Sequence, residues 1–475
     1  MSMASFLPRR VQRFSENHSS NFALWVGVGF FAVYIIAACM GAKQITMMIV
    51  LGILSCIGVI TLRLPVAACA LWLLVAGSAP ESWVPNLHPG SESMATALVK
   101  VAGLALVAVC ILRFGLLLDL FNPAIAFTLI FVIGVAHGFY PKLTFADSLR
   151  SLVGSVAPFA FCFSRLSRRW SASVIEATMW VPTVILGLGL VLTIIGVRPF
   201  LFPDEGGSVR LAGSTHPAFL GGFAMAGVYA ALIELYRTGR NRYLYLMVFN
   251  AVVLVGSGAR SPLGCAVVVV GIAFVAIHSE SFTLRKRVLP MILGLLTLPI
   301  LLAVAATSKS IRLLTVLSGG NAEGLSGRDV IWPFFKAAFA QSPVFGWGLG
   351  AGKVVLDPDS LTAKLLGTTA AHNEYLRMGV EGGYVGIGLI MTFMTLWTWR
   401  WTSGIERSDR IIIRLVIFAF ALQSITDNTM IAPTASVLFT WITAVFARGR
   451  FEAADKRSRA SAPAEIGSMA SAQLA

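Results

Sequence analysis

Apolar segments recur along most of this chain, and short polar stretches separate them. A helix needs about 20 apolar residues to cross the hydrocarbon of a bilayer, so this pattern predicts an all-α polytopic membrane protein with about 12–14 transmembrane helices. Fourteen candidate spans can be placed, at 22–40, 44–62, 64–79, 95–117, 122–137, 151–164, 173–196, 215–236, 243–256, 262–278, 288–306, 382–401, 411–427 and 434–447.

The positive charges indicate how these spans are oriented. Short basic clusters alternate with the apolar segments, and membrane proteins keep such loops in the cytoplasm. The N-terminal arginines precede an apolar run without a small-residue cleavage site, which favours a retained first span over a removed signal. The basic clusters comprise Arg9/Arg10/Arg13, Arg165/Arg168/Arg169, Arg237/Arg240/Arg242, Arg285/Lys286/Arg287 and Arg407/Arg410/Arg414.

This topology divides the chain into five parts. We expect a cytoplasmic N-terminus at 1–21, an N-terminal bundle of transmembrane helices at 22–306 and a large periplasmic loop at 307–381. C-terminal transmembrane helices follow at 382–447, and a disordered cytoplasmic tail rich in Ala, Ser and charge at 448–475. The long polar loop is the most informative part, because it faces the side opposite the basic loops.

The loop also carries a helix signal. Ser326 and Asp329 match the Ser-x-x-Asp pattern of a helix start, with Ser326 as the N-cap. Apolar residues then recur at helical spacing, so the pattern predicts an amphipathic helix along the membrane surface. Pro343 and the glycine-rich run at 346–350 end it. The apolar positions are Val330, Ile331, Phe334, Phe335, Ala338 and Phe339.

Composition supports the membrane assignment and narrows the function. Hydrophobic residues make up 57% of the chain and charged residues 12%, whereas soluble domains carry about 25% charged residues. The net charge of +15 lies in dispersed loops, which argues against nucleic-acid binding. All six cysteines fall in apolar segments, and no metal or nucleotide motif is present. We therefore expect neither a metal site nor a cofactor.

Three arginines on the predicted outer side are candidates for binding an anion. Arg210 precedes the eighth span, Arg260 lies in a tight glycine-rich turn, and Arg328 begins the amphipathic helix. A guanidinium binds phosphate oxygens bidentately, so Arg210 and Arg260 at one membrane level suit a diphosphate. The competing interpretations are snorkelling of Arg260 to lipid phosphate and a plain surface charge for Arg328.

His372 is the candidate catalytic residue. If 372–388 is one helix, His372, Tyr375, Gly379, Gly383 and Gly386 share one face, and the glycines let a neighbouring backbone approach. A neutral imidazole at the mouth of such a helix pair can accept the proton of a hydroxyl.

Nearby acidic residues offer alternatives to this histidine. Glu374 and Glu381 are competing carboxylates, and Glu381 has the alternative role of orienting the site or neutralising Arg377. Asp427 and Asn428 are weaker candidates, whose sequence position favours capping or polar packing at a helix end.

Four blocks of this sequence resemble the O-antigen ligase and polymerase superfamily of bacterial membrane proteins. Their order and spacing match over about 60 residues, while the segments around Arg210 and Arg260 match more loosely. After Arg210 an asparagine-rich stretch is more usual, which makes His216 an additional candidate. The blocks are Ser326–Trp332, Pro343–Gly350, His372–Leu376 and Val380–Gly386.

The resemblance implies a type-C glycosyltransferase-like fold and a donor glycan on undecaprenyl diphosphate. It further implies that Arg210 and Arg260 hold the diphosphate, that His372 serves the acceptor hydroxyl, and that the anomeric centre inverts without a metal. The expected partners are the undecaprenyl-diphosphate-linked oligosaccharide and the lipid bilayer of the inner membrane, with chain-length regulator and flippase proteins as further candidates and no nucleic acid.

Three functions compete at this stage. The leading one is a polymerase of exopolysaccharide or O-antigen that extends lipid-linked repeat units. The second is a ligase that transfers finished glycan to lipid A–core or to protein, with the same donor chemistry. The third, a transporter or flippase, predicts ionisable residues near mid-membrane. Only Lys100 lies well inside a predicted span, so transport is the weakest of the three.

Overall fold

The computed structural model describes residues 65–87, 89, 92–203, 209–292, 328–366 and 368–460. Helices dominate these residues, which confirms the predicted helical class, and one short two-stranded sheet is added to them. The candidate spans 22–40 and 44–62 lie outside the described residues, as does most of 288–306. The α-helices in this part of the chain are α1 (Pro65–Ser78), α2 (Val84–Leu87), α3 (Glu92–Phe114), α4 (Pro123–His137), α5 (Phe145–Val156), α6 (Arg168–Ile194), α7 (Pro217–Thr238), α8 (Asn241–Ser257), α9 (Arg260–Ala276), α10 (Arg328–Gln341), α11 (Leu361–Leu366), α12 (Glu374–Thr402), α13 (Arg407–Gln423) and α14 (Pro433–Ala460). The strands are β1 (Leu201–Pro203) and β2 (Val209–Leu211).

Helix α7 is the centre of the bundle. In its most apolar stretch 83% of the residues are buried, compared with 39% in α6 and 44% in α12. The neighbours α6, α8, α9, α13 and α14 surround it, and the rings of Tyr229 and Tyr236 are enclosed among them. A helix that is apolar on all sides is stable in this central position, because every face finds a packing partner.

The described helices have the character of a membrane protein. Three of them, α6, α7 and α12, are long and apolar enough to cross a bilayer, and α4, α9 and the part of α3 from Gly103 to Phe114 are shorter but apolar. Since only part of the chain is described, the total of about 12–14 spans stays a prediction.

The prediction of a single span at 151–164 is wrong. Helix α5 ends at Val156, and a 3₁₀ helix follows from Ala157 to Phe163. Pro158 has no N–H to continue the α-helical hydrogen bonds and its ring clashes with the preceding turn, so the chain changes its winding there. The polar face of α5 is buried as well, with Ser151 and Ser155 inside.

The structure also corrects the start of the predicted disordered tail. Helix α14 continues through 448–460, while 461–475 lie outside the described residues. Arg448 pairs with Glu234 of α7 and, at 3.1 Å, with Asp409 of α13. Glu452 pairs with Arg237. These ion pairs hold the last turns of α14 against the bundle. The helical structure of 448–460 therefore depends on partners that are distant in the sequence.

The part of the predicted loop that is described has a core of its own. Helix α10 forms as predicted and buries Ile331, Phe335 and Ala338 against Leu356 and Val380. The predicted cap Ser326 lies outside the described residues. Val330 and Phe334 of the same helix remain exposed, and the placement of α10 on a membrane surface stays a prediction.

Helix α12 is interrupted where it meets the glycine-rich segment 343–348. Gly383 has φ 62° and ψ −162°, a conformation that essentially only glycine adopts. The backbone N–H groups of residues 384 and 385 donate to the carbonyls of residues 343 and 344, at 2.8 and 3.1 Å. In return, residues 347 and 348 donate to the carbonyls of residues 380 and 381, at 2.8 and 3.0 Å. The loop backbone thus replaces the missing turn of helix and fixes the first ten residues of α12.

Candidate functional site

His372 lies immediately before α12, in a backbone conformation unusual for its residue type. Its φ is 47°, in the left-handed region, which costs on the order of 1 kcal/mol for a residue with a Cβ. The side chain of Asn373 caps the helix by accepting from the N–H of Leu376 at 2.9 Å, and the N–H of Glu374 donates to the carbonyl of Ser424 at 2.8 Å. These bonds fix the backbone and leave the imidazole about one-third exposed.

The predicted helix 372–388 is therefore wrong in two respects. The helix begins at Glu374, so His372 precedes it, and the interruption at Gly383 divides the proposed face. The close approach of a neighbouring backbone attributed to the glycines is confirmed at Gly383. A Cβ on Gly383 would lie 2.2 Å from the carbonyl oxygen of Val344, and one on Gly379 would lie 3.2 Å from the ring of Phe339.

Asp427 is the acidic neighbour of the histidine. Its Oδ1 atom lies 3.9 Å from Nδ1 of His372, and Nε2 of the same ring lies 3.5 Å from the hydroxyl of Thr368. The first distance is too long for a hydrogen bond, but catalytic contacts often tighten only when substrate binds. Asp427 also accepts from the N–H of Asn428 at 2.9 Å, a local polar contact within the turn that follows α13 rather than a helix cap.

Arg210 and Arg260 both lie at the turn between α8 and α9. Arg210 belongs to β2, pairs with Phe202 across the sheet, and donates from Nε to the carbonyl of Ser257 at 2.9 Å. Gly258 ends α8 with φ 63°, and a Cβ there would lie 3.3 Å from that Nε. Arg260 is the first residue of α9 and is exposed. The two arginines thus lie at the same turn, and their joint binding of a diphosphate stays a prediction.

A hydrogen bond connects this turn to the histidine side of the site. The hydroxyl of Thr426 donates to the hydroxyl of Ser261 at 2.9 Å. Ser261 follows Arg260 in the chain, and Thr426 precedes Asp427. The arginine turn and the His372–Asp427 pair therefore lie at the same end of the bundle, on either side of the turn that follows α13.

Arg328 approaches the same region from the loop. It is the first residue of α10, and Trp332 lies one helical turn later on the same side. The indole N–H of Trp332 donates to the carbonyl of Ala371 at 2.8 Å, directly before His372. The first turn of α10, with its positive end, is thereby held near the histidine.

The two glutamates of α12 form a buried charge cluster. Arg377 donates from Nε to Glu374 at 3.1 Å and from Nη1 to Glu381 at 2.8 Å, and all three side chains are at most 7% exposed. Glu381 therefore neutralises Arg377, which was the alternative role considered for it, and Glu374 does the same. The hydroxyl of Tyr375 donates to the carbonyl of Ala421 at 3.0 Å, joining α12 to α13.

Lys353 adds a second positive charge near this cluster. Burial lowers the pKa of its ammonium, while Glu381 opposes the shift. The ammonium donates to the hydroxyl of Ser151 at 3.0 Å. The neighbouring Gly352 lies so close that a Cβ would be 3.1 Å from Glu381. The segment around Lys353 thus packs over the charged side chains of α12. Because these charges are buried and paired with one another, they have a structural role.

His216 has a local role. It is the N-cap of α7, and its Nδ1 accepts from the N–H of Ala218 at 3.3 Å. Its ring lies between those of Phe202 and Phe219, at centroid distances of 5.6 and 6.0 Å. The Nδ1 atom is therefore occupied in capping, so the structure favours a structural role for His216 over the additional catalytic role suggested by the sequence.

No group of three or more His, Cys, Asp and Glu side chains in the described part of the chain could hold a metal ion. Four of the cysteines, Cys69, Cys110, Cys162 and Cys265, are buried and unbridged. The described groups that could meet a substrate at this end of the bundle are an imidazole, a carboxylate and arginines.

Comparison with known proteins agrees with the resemblance drawn from the sequence. Residues 245–391 match the profile of the O-antigen ligase family, which confirms the resemblance to the O-antigen ligase and polymerase superfamily over that stretch. The match includes Arg260, Arg328 and His372, whereas Arg210 and Asp427 lie outside it. No curated protein matches the chain.

Proposed function

We propose that this protein is a membrane-embedded glycosyltransferase that polymerises a bacterial surface polysaccharide, an exopolysaccharide or an O-antigen. It transfers a glycan from undecaprenyl diphosphate to a hydroxyl of the next lipid-linked repeat unit. The proposal includes a type-C glycosyltransferase-like fold of about 12–14 spans in the inner membrane, with the site on the periplasmic face. Chain-length regulator and flippase proteins are proposed partners.

The observation that carries this proposal is the convergence of two kinds of group at one end of the bundle. Arg210 and Arg260 lie at one turn, and the bond between Thr426 and Ser261 joins that turn to His372 and Asp427. Transfer from a lipid diphosphate needs both a base for the acceptor and positive charge for the leaving group. The family match supports the same class of reaction.

In this mechanism His372 acts as the general base. Its Nδ1 faces Asp427, so Nε2 is the atom that accepts the proton of the acceptor hydroxyl. The freed oxygen attacks the anomeric carbon while the bond from that carbon to the diphosphate oxygen breaks, and the configuration inverts. The Asp427 carboxylate stabilises the imidazolium that forms, in the manner of other histidine–aspartate pairs.

The arginines take the role that a metal has in many diphosphate reactions. The forks of Arg210 and Arg260 hold the diphosphate and balance the charge that develops as it leaves. Arg328, at the start of α10, adds positive charge together with the helix terminus. The donor is activated before it reaches this protein, so the reaction requires no nucleotide.

A ligase is the second candidate, because the matched family is described as O-antigen ligase and its match supports the ligase and polymerase reactions equally. Donor and base are the same in both reactions, and only the acceptor differs. The glycan intermediates of a deletion strain distinguish them. Single repeat units on the lipid carrier indicate a lost polymerase, and full-length chains on the carrier indicate a lost ligase. Unchanged intermediates and unchanged surface glycan would contradict both.

Transport finds less support. Pumps and transporters place ionisable groups along the substrate path near mid-membrane. In α12 the buried charges Glu374, Arg377 and Glu381 are paired with one another within the first turns of the helix.

A further inference from the structure

A group of arginine side chains lies at the end of the bundle opposite the candidate site. Arg400 is in the last turn of α12, the helix whose first turn follows His372. Arg450 is in the second half of α14, and Arg165 lies just before α6. In the proposed orientation this end of the bundle faces the cytoplasm, where basic pockets between membrane helices bind anionic lipid head groups.

Asp119 and Trp401 lie at the centre of this arginine cluster. The indole N–H of Trp401 donates to the Asp119 carboxylate, which is 2% exposed. The same carboxylate accepts from the N–H of Phe121 at 3.3 Å. The guanidinium of Arg450 lies 5.1 Å from the ring centroid of Trp401. That of Arg400 lies 5.6 Å from the ring centroid of Phe121. Both arginines are thus connected to one buried carboxylate through an aromatic residue.

Arg165 belongs to the cluster through its backbone and its charge. Its N–H donates to the carbonyl of Gly115 at 3.1 Å, and a Cβ on Gly115 would lie 3.6 Å from Cδ of Arg165. Burial lowers the pKa of the Arg450 guanidinium, and the positive charge of Arg165 acts in the same direction, while Asp119 opposes both. The guanidinium groups of Arg165 and Arg450 are therefore close enough to repel each other.

The cluster has more positive charge than the described residues neutralise. Within the described part of the chain, none of its guanidinium groups forms an ion pair, whereas the neighbouring Arg168 pairs with Asp455 at 2.7 Å. The three guanidinium groups and the carboxylate of Asp119 leave an excess of two positive charges among these four side chains. Because a partly buried charge without a partner is costly, an anion with two negative charges would stabilise this arrangement.

Exposed leucines lie beside these charges, on the segment that joins α3 to α4. Leu118 and Leu120 are 75% and 73% exposed, and the residue between them is the buried Asp119. The segment thus directs its carboxylate inward and its apolar side chains outward. It lies between the ends of two apolar helices, so these leucines are placed at the boundary of the hydrocarbon, directly beside the guanidinium groups.

We propose that Arg165, Arg400 and Arg450 bind the head group of cardiolipin, an anionic phospholipid with two phosphates. A phosphodiester accepts parallel N–H bonds from a guanidinium fork, and two phosphodiesters balance the excess charge. The acyl chains lie over Leu118 and Leu120. The bound lipid connects the segment between α3 and α4 with α12 and α14. This site is separate from the candidate glycan-transfer site and does not depend on the proposed function.

Lipid titration of the delipidated full chain tests the proposal. Native mass spectrometry measures the affinities for cardiolipin, phosphatidylglycerol and phosphatidylethanolamine. We expect cardiolipin to bind most tightly, phosphatidylglycerol less tightly because it has one phosphate, and phosphatidylethanolamine most weakly because it has no net charge. Cardiolipin should also raise the Tm of the detergent-solubilised protein, because a ligand that binds the folded state stabilises it. Inorganic phosphate, which has no acyl chains, should leave the Tm unchanged.

Matched variants assign the binding to the cluster. We expect Arg165→Gln and Arg450→Gln each to weaken cardiolipin binding about fivefold, which corresponds to about 1 kcal/mol per basic residue at a membrane surface. Arg168→Gln removes one charge from the same end of the bundle and should have little effect, because Arg168 is already paired with Asp455. Arg165 is exposed and contacts Gly115 through its backbone, so Arg165→Gln should fold as the unsubstituted protein does.

Equal affinities of Arg165→Gln, Arg450→Gln and Arg168→Gln for cardiolipin would overturn the proposal. Equal affinities of the unsubstituted protein for cardiolipin and phosphatidylethanolamine would do the same, because the head-group charge would then not matter. A rise in Tm with inorganic phosphate as large as that with cardiolipin would also contradict it and make the cluster a site for soluble phosphate.

Discussion

The Oδ1 atom of Asp427 lies 3.9 Å from Nδ1 of His372, although α12 and α13 separate the two residues in the chain. The contact exists because the turn after α13 folds onto the start of α12, where the carbonyl of Ser424 accepts from the N–H of Glu374 at 2.8 Å. A carboxylate at this position faces one ring nitrogen and leaves the other for a substrate. The carboxylate therefore orients the imidazole ring and also serves as its charge partner.

Replacing the histidine tests its role as the base. We expect His372→Ala to lower the rate of glycan transfer by about 10²- to 10⁴-fold, the usual contribution of a positioned base. The amount of protein in the membrane should stay the same, because the side chain is partly exposed and ends no helix. Polymer length and yield in cells, together with transfer by the purified protein, provide the measurement. Polymer of normal length and yield would show that His372 is not the base.

Asp427 acts through the histidine, so its replacement should change kcat and leave KM for both substrates unaltered. Two unit charges about 4 Å apart attract by about 4 kcal/mol at an effective dielectric constant of 20, and the exposure of both side chains reduces this. We expect Asp427→Asn to lower kcat about 10- to 100-fold. Asp359→Asn, on an exposed loop, is the control and should have no effect. A rise in KM at unchanged kcat would assign Asp427 to substrate binding instead.

Substitutions of Arg260 should change the kinetics with respect to the lipid-linked donor. We expect Arg260→Ala to lower kcat/KM for the lipid-linked donor about 100-fold, and Arg260→Lys to recover only part of it, because lysine keeps the charge and loses the planar fork. Arg150→Ala is the control, since that side chain is exposed and pairs with Asp147 one turn away on the same helix. Steady-state rates at varied donor concentration give the result. Unchanged donor kinetics in the Arg260 variants would indicate that Arg260 is a lipid-facing surface charge and does not bind the donor.

The buried charges of α12 make a prediction about stability. Arg377→Met leaves two buried carboxylates without their partner, which typically costs about 3–5 kcal/mol. We expect this variant to be poorly recovered from membranes and to have a lower Tm in detergent. The triple variant Glu374→Gln, Arg377→Met and Glu381→Gln removes all three charges and should recover most of the loss. Full activity of the single variant would contradict the structural role given to this cluster.

Much of this architecture follows from local patterns in the sequence. Apolar periodicity places the helices, and the spacing of Val330 to Phe339 gives α10. The location of Arg210 and Arg260 at one turn follows from their positions at the ends of consecutive spans, because helices of similar length bring such ends to one level. These features depend on residues near one another in the chain.

The remaining features depend on distant partners. Nothing in the sequence around Asp427 shows that its turn folds onto His372. The helix in 448–460 is held by charges on α7 and α13, so its composition alone resembles that of a disordered tail. Gly383 fits a stripe of small residues on an unbroken helix, and its actual conformation requires the backbone of 343–348.

That exchange of hydrogen bonds makes Gly383 the position where loop and membrane helix depend most on each other. An alanine there would face a backbone conformation costing about 1–3 kcal/mol and a Cβ 2.2 Å from the carbonyl oxygen of Val344. We expect Gly383→Ala to lower the Tm of the detergent-solubilised protein by several degrees and to reduce transfer, because the carbonyls of residues 380 and 381 lose their partners when the loop moves away. Gly388→Ala lies five residues further along the same helix with open space around it, and it should be neutral or slightly stabilising. Equal Tm values for the two variants would mean that the loop and α12 are not joined in this way.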